Sequence, residues 1–324
     1  MKAIVYRKNG PPDVLSYEEI EKPTPGAQEV LIRVRAAAVN PLDWHMMKGG
    51  PALMRLLMGG GKVKHPGVDA AGVVEAVGPG VTQFKPGDAV FGCCKGAFAQ
   101  YAIAAESALA AKPECVSFED AAASPIAALT ALQGLRNKGK LQAGQNVLIN
   151  GASGGVGTYA VQFGTIFGAH VTGVCSARNA ELVRSLGAEH TIDYSKEDFA
   201  AGSTRYDLIF DLAGNHSLSA CKRVLTPQGI QVGGGILDGP KSMVVMFGGL
   251  LATLLQSQFS RQKFTVFVAK ANRDDLTLIG ELLASGKLKS VIEKRYRLDE
   301  VPEAMRYQGS WRVRGKLVIC VATE

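Results

Sequence analysis

Apolar positions in the first third of the chain come in short alternating or β-branched runs. These runs, at Ala3–Tyr6, Val30–Ala36, Gly72–Val77, Ala89–Phe91 and Ala99–Ile103, predict strands. Pro and Gly punctuation at PPD, PTPG, HPG, GPG and KPGD separates them, a spacing that suits a small barrel or sandwich. The pattern changes near Phe118, where FEDAAASPIAALTALQGL reads as alanine-rich helix interrupted by Pro125. From Asn146 the rhythm alternates: a buried strand at Val147–Ile149, a glycine-rich turn, then an apolar pattern long enough for a helix up to Phe167. Strands follow at His170–Cys175, Thr191–Tyr194, Tyr206–Leu212 and Gly229–Gly233, with helices at Ala180–Leu186 and His216–Leu225. A βαβαβ order with short loops predicts a doubly wound parallel sheet.

An apolar, glycine-containing insert over 236–262 breaks this rhythm, and Phe264–Ala269 reads as the last strand of the sheet. Beyond it come an amphipathic helix at Asn272–Ala284, a β segment at Ser290–Arg297, a short helix at Val301–Tyr307 and a strand at Gly315–Cys320. The simplest architecture is an α/β nucleotide domain over 126–264, inserted into a β-rich domain built from 1–125 and 265–324.

At 324 residues, 47% hydrophobic and 20% charged, the chain has ample core for about two domains. The net charge of +7 suits an anionic ligand. No run of five or six like charges marks a basic arm, so specific nucleic-acid binding is not expected. The six cysteines, at 93, 94, 115, 175, 221 and 320, form neither a C-x-x-C metal pattern nor a disulfide framework. A reducing, cytoplasmic compartment is the expectation. The opening MKAIVYRKNG is strand-like and lacks a signal-peptide core. The most apolar run, Met243 to Leu255, is too short to span a bilayer. It reads as a buried or subunit-contact segment, leaving a homodimer and a peripheral membrane contact as open readings.

The candidate chemistry centres on the glycine turn. Strand, tight turn and helix bring backbone amides and a positive helix terminus to a pyrophosphate. Ala152-Ser153-Gly154-Gly155-Val156-Gly157 departs from G-x-G-x-x-G by an alanine at the first glycine position. The second strand ends Val174-Cys175-Ser176-Ala177-Arg178-Asn179. A carboxylate there would accept a ribose 2′-hydroxyl; instead a hydroxyl, a guanidinium and an amide are present. Arg178 can pair with a 2′-phosphate, so NADPH is favoured over NADH. Tyr194, ending the third strand, borders the adenosine end in this reading.

Six segments, in order, then carry a family resemblance: Asn40-Pro41-Leu42-Asp43, His65 to Val74, Lys85 to Val90, Leu129-Thr130-Ala131, Ala152 to Gly157, and Gly315-Lys316. Together they resemble the zinc-independent quinone oxidoreductase branch of the medium-chain dehydrogenase/reductases. The resemblance implies a Rossmann domain inserted into a GroES-like β-rich domain. In the zinc-using cousins a cysteine ligand stands near Asn40, and Gly-His-Glu takes the place of Gly67-Val68-Asp69. Val68 cannot bind metal, so no metal is expected. Without a polarising ion the favoured acceptor is an activated C=C, in a quinone or an α,β-unsaturated carbonyl, whose enolate oxygen hydrogen bonds can stabilise.

Residue by residue, the resemblance makes Asn40 a substrate-side amide donor and gives Asp43 the task of holding the loop. His45 stands where many relatives carry Tyr beside the nicotinamide and substrate, and Thr130 resembles the threonine near the carboxamide. Ser153, Gly154, Gly155 and Val156 are expected to hold the pyrophosphate, with Ser176, Arg178 and Tyr194 around the 2′-phosphate. Asn215, Val232, Gly233, Gly234 and Gly235 are expected to line the ribose and nicotinamide. The competing functions are an NADPH-binding accessory or RNA-binding module without turnover, and a reductase of ordinary aldehydes or ketones.

Overall fold

The computed structural model describes residues 1–49, 64–234 and 261–322. The expected apolar segment Met243–Leu255 and Gly235 lie outside them. The chain divides into one unit made of Met1–Leu129 and Lys270–Glu324 and a second made of Thr130–Ala269.

The first unit opens with a two-stranded antiparallel pair, β1 (Lys2–Val5) and β2 (Ser16–Glu19). Its main sheet contains β3 (Glu29–Val39), β4 (Asp69–Val77), β5 (Ala89–Cys93), β6 (Tyr101–Ala105) and β7 (Leu109–Ala111). After the second unit the chain adds β14 (Ile292–Arg297) and β15 (Lys316–Cys320) to the same sheet. Strand β3 organises it. One edge pairs with β4 along its length; the other pairs with β6 at Glu29–Arg33 and with β15 at Ala36–Val39. Both chain ends therefore meet on one strand, and the interruption by a second unit costs the sheet no register.

Inside, Ile4, Val30, Ile32, Val34, Val74, Val90 and Phe98 pack with Leu317 and Ile319. The helix α8 (Val301–Gln308) adds Val301, Ala304 and Met305 at the spacing of one helical face. Helix α1 (Pro41–Lys48) begins immediately beyond β3, for reasons legible in its first residues. Asn40 is the N-cap, Pro41 occupies the first turn, and the Asp43 side chain closes a capping box on the Asn40 amide. Gly49, at φ +96°, ends it in the left-handed conformation.

In the second unit β8 (Asn146–Asn150), β9 (His170–Cys175), β10 (His190–Asp193), β11 (Tyr206–Asp211), β12 (Leu225–Gly234) and β13 (Lys263–Phe267) form a wholly parallel sheet. Its spatial order is β10-β9-β8-β11-β12-β13. Counted within the unit this is 3-2-1-4-5-6, the Rossmann order, with the topological switch between β8 and β11. Helix α4 (Gly155–Ile166) crosses from β8 to β9, and its residues 157–164 are buried. Small residues let it lie close: a side chain on Gly164 would meet Val171 Cγ2 at 2.7 Å.

The structure moves several expected boundaries. Residues 265–267 belong to β13 and hence to the parallel sheet, and residues 126–129 belong with the first unit. The expected helix from His216 starts instead at Leu218, because the Ser217 hydroxyl accepts from the Ala220 amide and caps it there. The alanine-rich stretch divides into α2 (Phe118–Ala123) and α3 (Pro125–Leu132), followed by a π-helical turn at Gln133–Lys138. Among the described residues no helix is long and apolar enough to cross a membrane.

Candidate active site

The nucleotide-facing candidates gather at the carboxyl ends of the second unit's strands. The glycine that makes the tight turn after β8 is Gly151, at φ +92°. Gly151 and Ala152 both donate to the Val174 carbonyl, which ties the turn to β9. Ala152 is fully buried, and its Cβ would lie 3.0 Å from a Cβ added to Gly173. The alanine at the first motif position is thus a packing residue, while the glycine before it supplies the turn. Gly157 is obligatory, since an added Cβ would stand 2.1 Å from the Gly151 carbonyl oxygen. Gly154, the N-cap, has only that same oxygen within reach, at 3.5 Å, so its face of the turn is open. Gly155 and Val156 begin α4, where amides have no intrahelical acceptor and point along the positive end of the helix dipole.

Ser153 is tied down by Asn179, whose amide the sequence places at the end of the second strand without revealing this contact. Asn179 is buried at the end of the β9 turn, and its Nδ2 donates to Ser153 Oγ at 3.0 Å. One hydrogen bond therefore couples the glycine turn to the Ser176–Arg178 turn, between residues 26 positions apart. Ser176 is half-buried, Arg178 is exposed, and Tyr194 is 62% exposed. A carboxylate does stand nearby, on the third strand. Asp193 pairs in register with Cys175, and hydrogen bonds from the Ser195 amide and hydroxyl hold it below the usual range.

Deeper at the switch point, Asn150 Nδ2 donates to Asp211 Oδ1 and to Asn215 Oδ1, each at 2.8 Å. Gly214 N also donates to Asp211 Oδ1, and Gln231 Nε2 reaches Oδ2 at 3.3 Å. This fixes the loop carrying Asn215, which is exposed. Neither Asn150 nor Asp211 stands out in the sequence, because each ends an ordinary strand. Val232 lies near the end of β12. Its side chain is fully buried in the sheet, so only its backbone and the glycines after it are suited to a ligand. Gly234 lies against Phe210, which an added Cβ would meet at 2.5 Å. Thr130, buried on α3, is the first residue of the second unit.

In the first unit the residues around Asn40 form a closed polar cluster. Asn40, Asp43, Asp69 and Lys316 are each at most 3% exposed. Lys316 Nζ donates to Asn40 Oδ1 at 2.5 Å and lies 3.6 Å from Asp69 Oδ2. Asn40 Nδ2 donates to Asp69 Oδ2 at 2.9 Å and lies 3.4 Å from the Ala38 carbonyl, and the Ile126 amide donates to Asp69 Oδ1 at 3.1 Å. This corrects the expectation for Asn40: the whole amide is spent on internal partners and has no donor left for a substrate oxygen. Asp43 accepts from the Asn40 amide at 2.8 Å, as a loop-holding residue should.

Burial dominates the electrostatics. It raises the Asp69 carboxyl against the stabilising Lys316 ammonium, and lowers Lys316 against the pull of Asp69. It raises Asp43 to about 7, only partly offset by the Asn40 amide. The buried Cys93 and Cys94 thiols are raised too, and Cys93 Sγ stands 4.0 Å from Asp69 Oδ1. They are inert thiols packed against a charged cluster. His45, two residues beyond Asp43, projects into an aromatic cluster with Trp44 and Trp311, at centroid distances of 5.3 and 5.7 Å.

Comparison with known proteins agrees with this geometry. Residues 26–114 match the alcohol dehydrogenase GroES-like domain and residues 186–319 match the zinc-binding dehydrogenase domain. The chain is 31% identical to the chloroplast envelope quinone oxidoreductase homolog of Arabidopsis thaliana, over 94% of this chain and 93% of the relative. The chain belongs to the quinone oxidoreductase branch of the medium-chain dehydrogenase/reductase family. It is 33% identical to the 2-methylene-furan-3-one reductase of Solanum lycopersicum, over 98% of this chain and 79% of that one. The Escherichia coli quinone oxidoreductase complexed with NADPH superposes with a TM-score of 0.83 at 25% identity, covering 99% of this chain and all of the other. This member of the branch is therefore an oxidoreductase of the quinone and enone reductase type.

One family description names zinc, and the residues here do not fit a catalytic zinc. Val68 offers no ligand atom, the Asn40 oxygen accepts from Lys316, and Asp69 is ion-paired with Lys316. Among the described residues no three His, Cys, Asp or Glu side chains come together as a ligand set.

Proposed function

We infer that the protein is an NADPH-dependent reductase that passes hydride directly to a quinone or to the C=C bond of an α,β-unsaturated carbonyl. The observation that carries this reading is the cluster around Lys316. An ammonium already occupies the charged centre where a polarising metal would need ligands. This favours an acceptor activated in its own structure, as quinones and enones are, over an alcohol or simple ketone, which gains most from a Lewis acid at its oxygen. The relative named as a 2-methylene-furan-3-one reductase supports the enone half of the reading.

For the cofactor, the amides of Gly155 and Val156 take the pyrophosphate, while Ser176, Arg178 and Tyr194 surround the 2′-phosphate. The E. coli structure complexed with NADPH supports the same choice. His45 borders the acceptor and takes the donor role that Asn40 cannot fill. A homodimer fits the open edge of the parallel sheet: among described strands β13 pairs only with β12, and Val266 and Val268 are exposed on and just beyond it.

The test is isotopic. Reduction of an enone with NADPH deuterated at nicotinamide C4 is expected to place the label on the β-carbon of the product. Product lacking the label, with deuterium lost to water, would contradict direct transfer.

A further inference from the structure

We propose that Trp311 is the stacking face on which a flat, electron-poor acceptor ring lies, so that this residue selects cyclic quinoid substrates over acyclic ones. The inference rests on the reading that His45 borders the acceptor. Both tryptophans of the chain meet His45. Trp44 and Trp311 have centroids 5.6 Å apart at 72°, and His45 stands within 5.7 Å of each.

The two indoles are held differently. Trp44 is half-buried against the core, with Lys48 Nζ 4.2 Å from its ring centre and Gly309 tight beneath it, where an added Cβ would meet Nε1 at 2.3 Å. It has no room for a further ring. Trp311 is 45% exposed, although it is one of the largest apolar side chains in the protein.

Its backbone is the second observation. Trp311 sits at φ +57°, a left-handed conformation that bulky side chains rarely adopt. Helix α8 ends just before it, and Gly309, the residue suited to that conformation, keeps a right-handed φ of −68°. The strain falls on the tryptophan, and the turn fixes it there: Trp311 N donates to the Gln308 carbonyl and Arg312 N to Ser310 Oγ. A costly backbone conformation that holds an exposed indole against a site histidine is preorganisation of a contact face. An indole face is electron-rich and a quinone ring is electron-poor, so offset stacking favours that pair over an acyclic enone.

The experiment compares 1,4-naphthoquinone with but-3-en-2-one under NADPH-dependent turnover. Trp311→Ala is expected to raise the ratio of naphthoquinone KM to butenone KM about ten-fold, and Trp311→Phe to stay within about three-fold of wild type. A ratio that Trp311→Ala leaves unmoved overturns the proposal. Intrinsic fluorescence without NADPH separates this failure from failure of the reductase reading. Naphthoquinone is expected to quench wild type saturably and Trp311→Ala only weakly. Saturable quenching of the wild type alone, with no acceptor reduced, would retain the stacking face and reject the reductase reading. Reduction of both acceptors, with quenching equal in the two proteins, would do the reverse.

Discussion

At the scale of single residues, the first unit depends on a charge it has hidden. Lys316 and Asp69 balance each other inside a buried cluster, so removing either leaves the other buried and unpaired. Lys316→Met is expected to destabilise the protein by about 3–5 kcal/mol, measured by denaturant unfolding. A loss below about 1 kcal/mol would mean that the cluster admits water. Asp43 makes the complementary, pH-dependent statement. Its carboxyl rises from 3.8 to about 7 on folding, so the native state binds its proton more tightly than the unfolded chain does. That contribution is fully present below about pH 4 and is lost as pH rises through 7. The stability of wild type minus that of Asp43→Asn is expected to fall by on the order of 2–4 kcal/mol between these limits. Unfolding curves that stay parallel across the range would contradict it. Neither effect is legible in the sequence. Asn40 and Lys316 are 276 positions apart, and only the pairing of β15 with β3 brings them together.

At the scale of elements, the strand, turn and helix from Asn146 to Ile166 were readable because period, glycine placement and length all agree there. The division of labour among the glycines was not readable. Gly151 rather than residue 152 makes the turn, and the reason is the depth to which Ala152 is buried. Two substitutions separate packing from binding. Gly157→Ala would drive a methyl into the Gly151 carbonyl and is expected to cost about 2 kcal/mol or more in stability. Gly154→Ala has space, so it is expected to leave the melting temperature within about 3 °C of wild type while raising the KM for NADPH about ten-fold or more. Equal melting losses in both variants would show that the turn is only structural. Short polar strands were the other blind spot: β2 reads SYEE, with no apolar alternation to mark it.

At the scale of the whole molecule, the nested plan was legible because the period of hydrophobicity changes at each join. The exact joins were not, since residues 265–267 have a strand pattern that either sheet could use. The edge of β13, open among the described strands, carries the expectation for assembly. Val266→Lys is expected to shift a homodimer toward monomer in analytical ultracentrifugation. A wild type that is already monomeric would contradict the homodimer, and a dimer that Val266→Lys leaves intact would place its contact elsewhere.

The central claim is hydride transfer to an activated acceptor without a metal. Initial rates in excess chelator test it most directly, with NADPH and 1,4-naphthoquinone or but-3-en-2-one on one side and NADP⁺ with simple alcohols on the other. Reduction of the activated acceptors is expected to keep its full rate under chelation and to exceed alcohol oxidation at least about a hundred-fold. Activity abolished by the chelator and restored by zinc, or alcohol oxidation that outpaces both reductions, would contradict it.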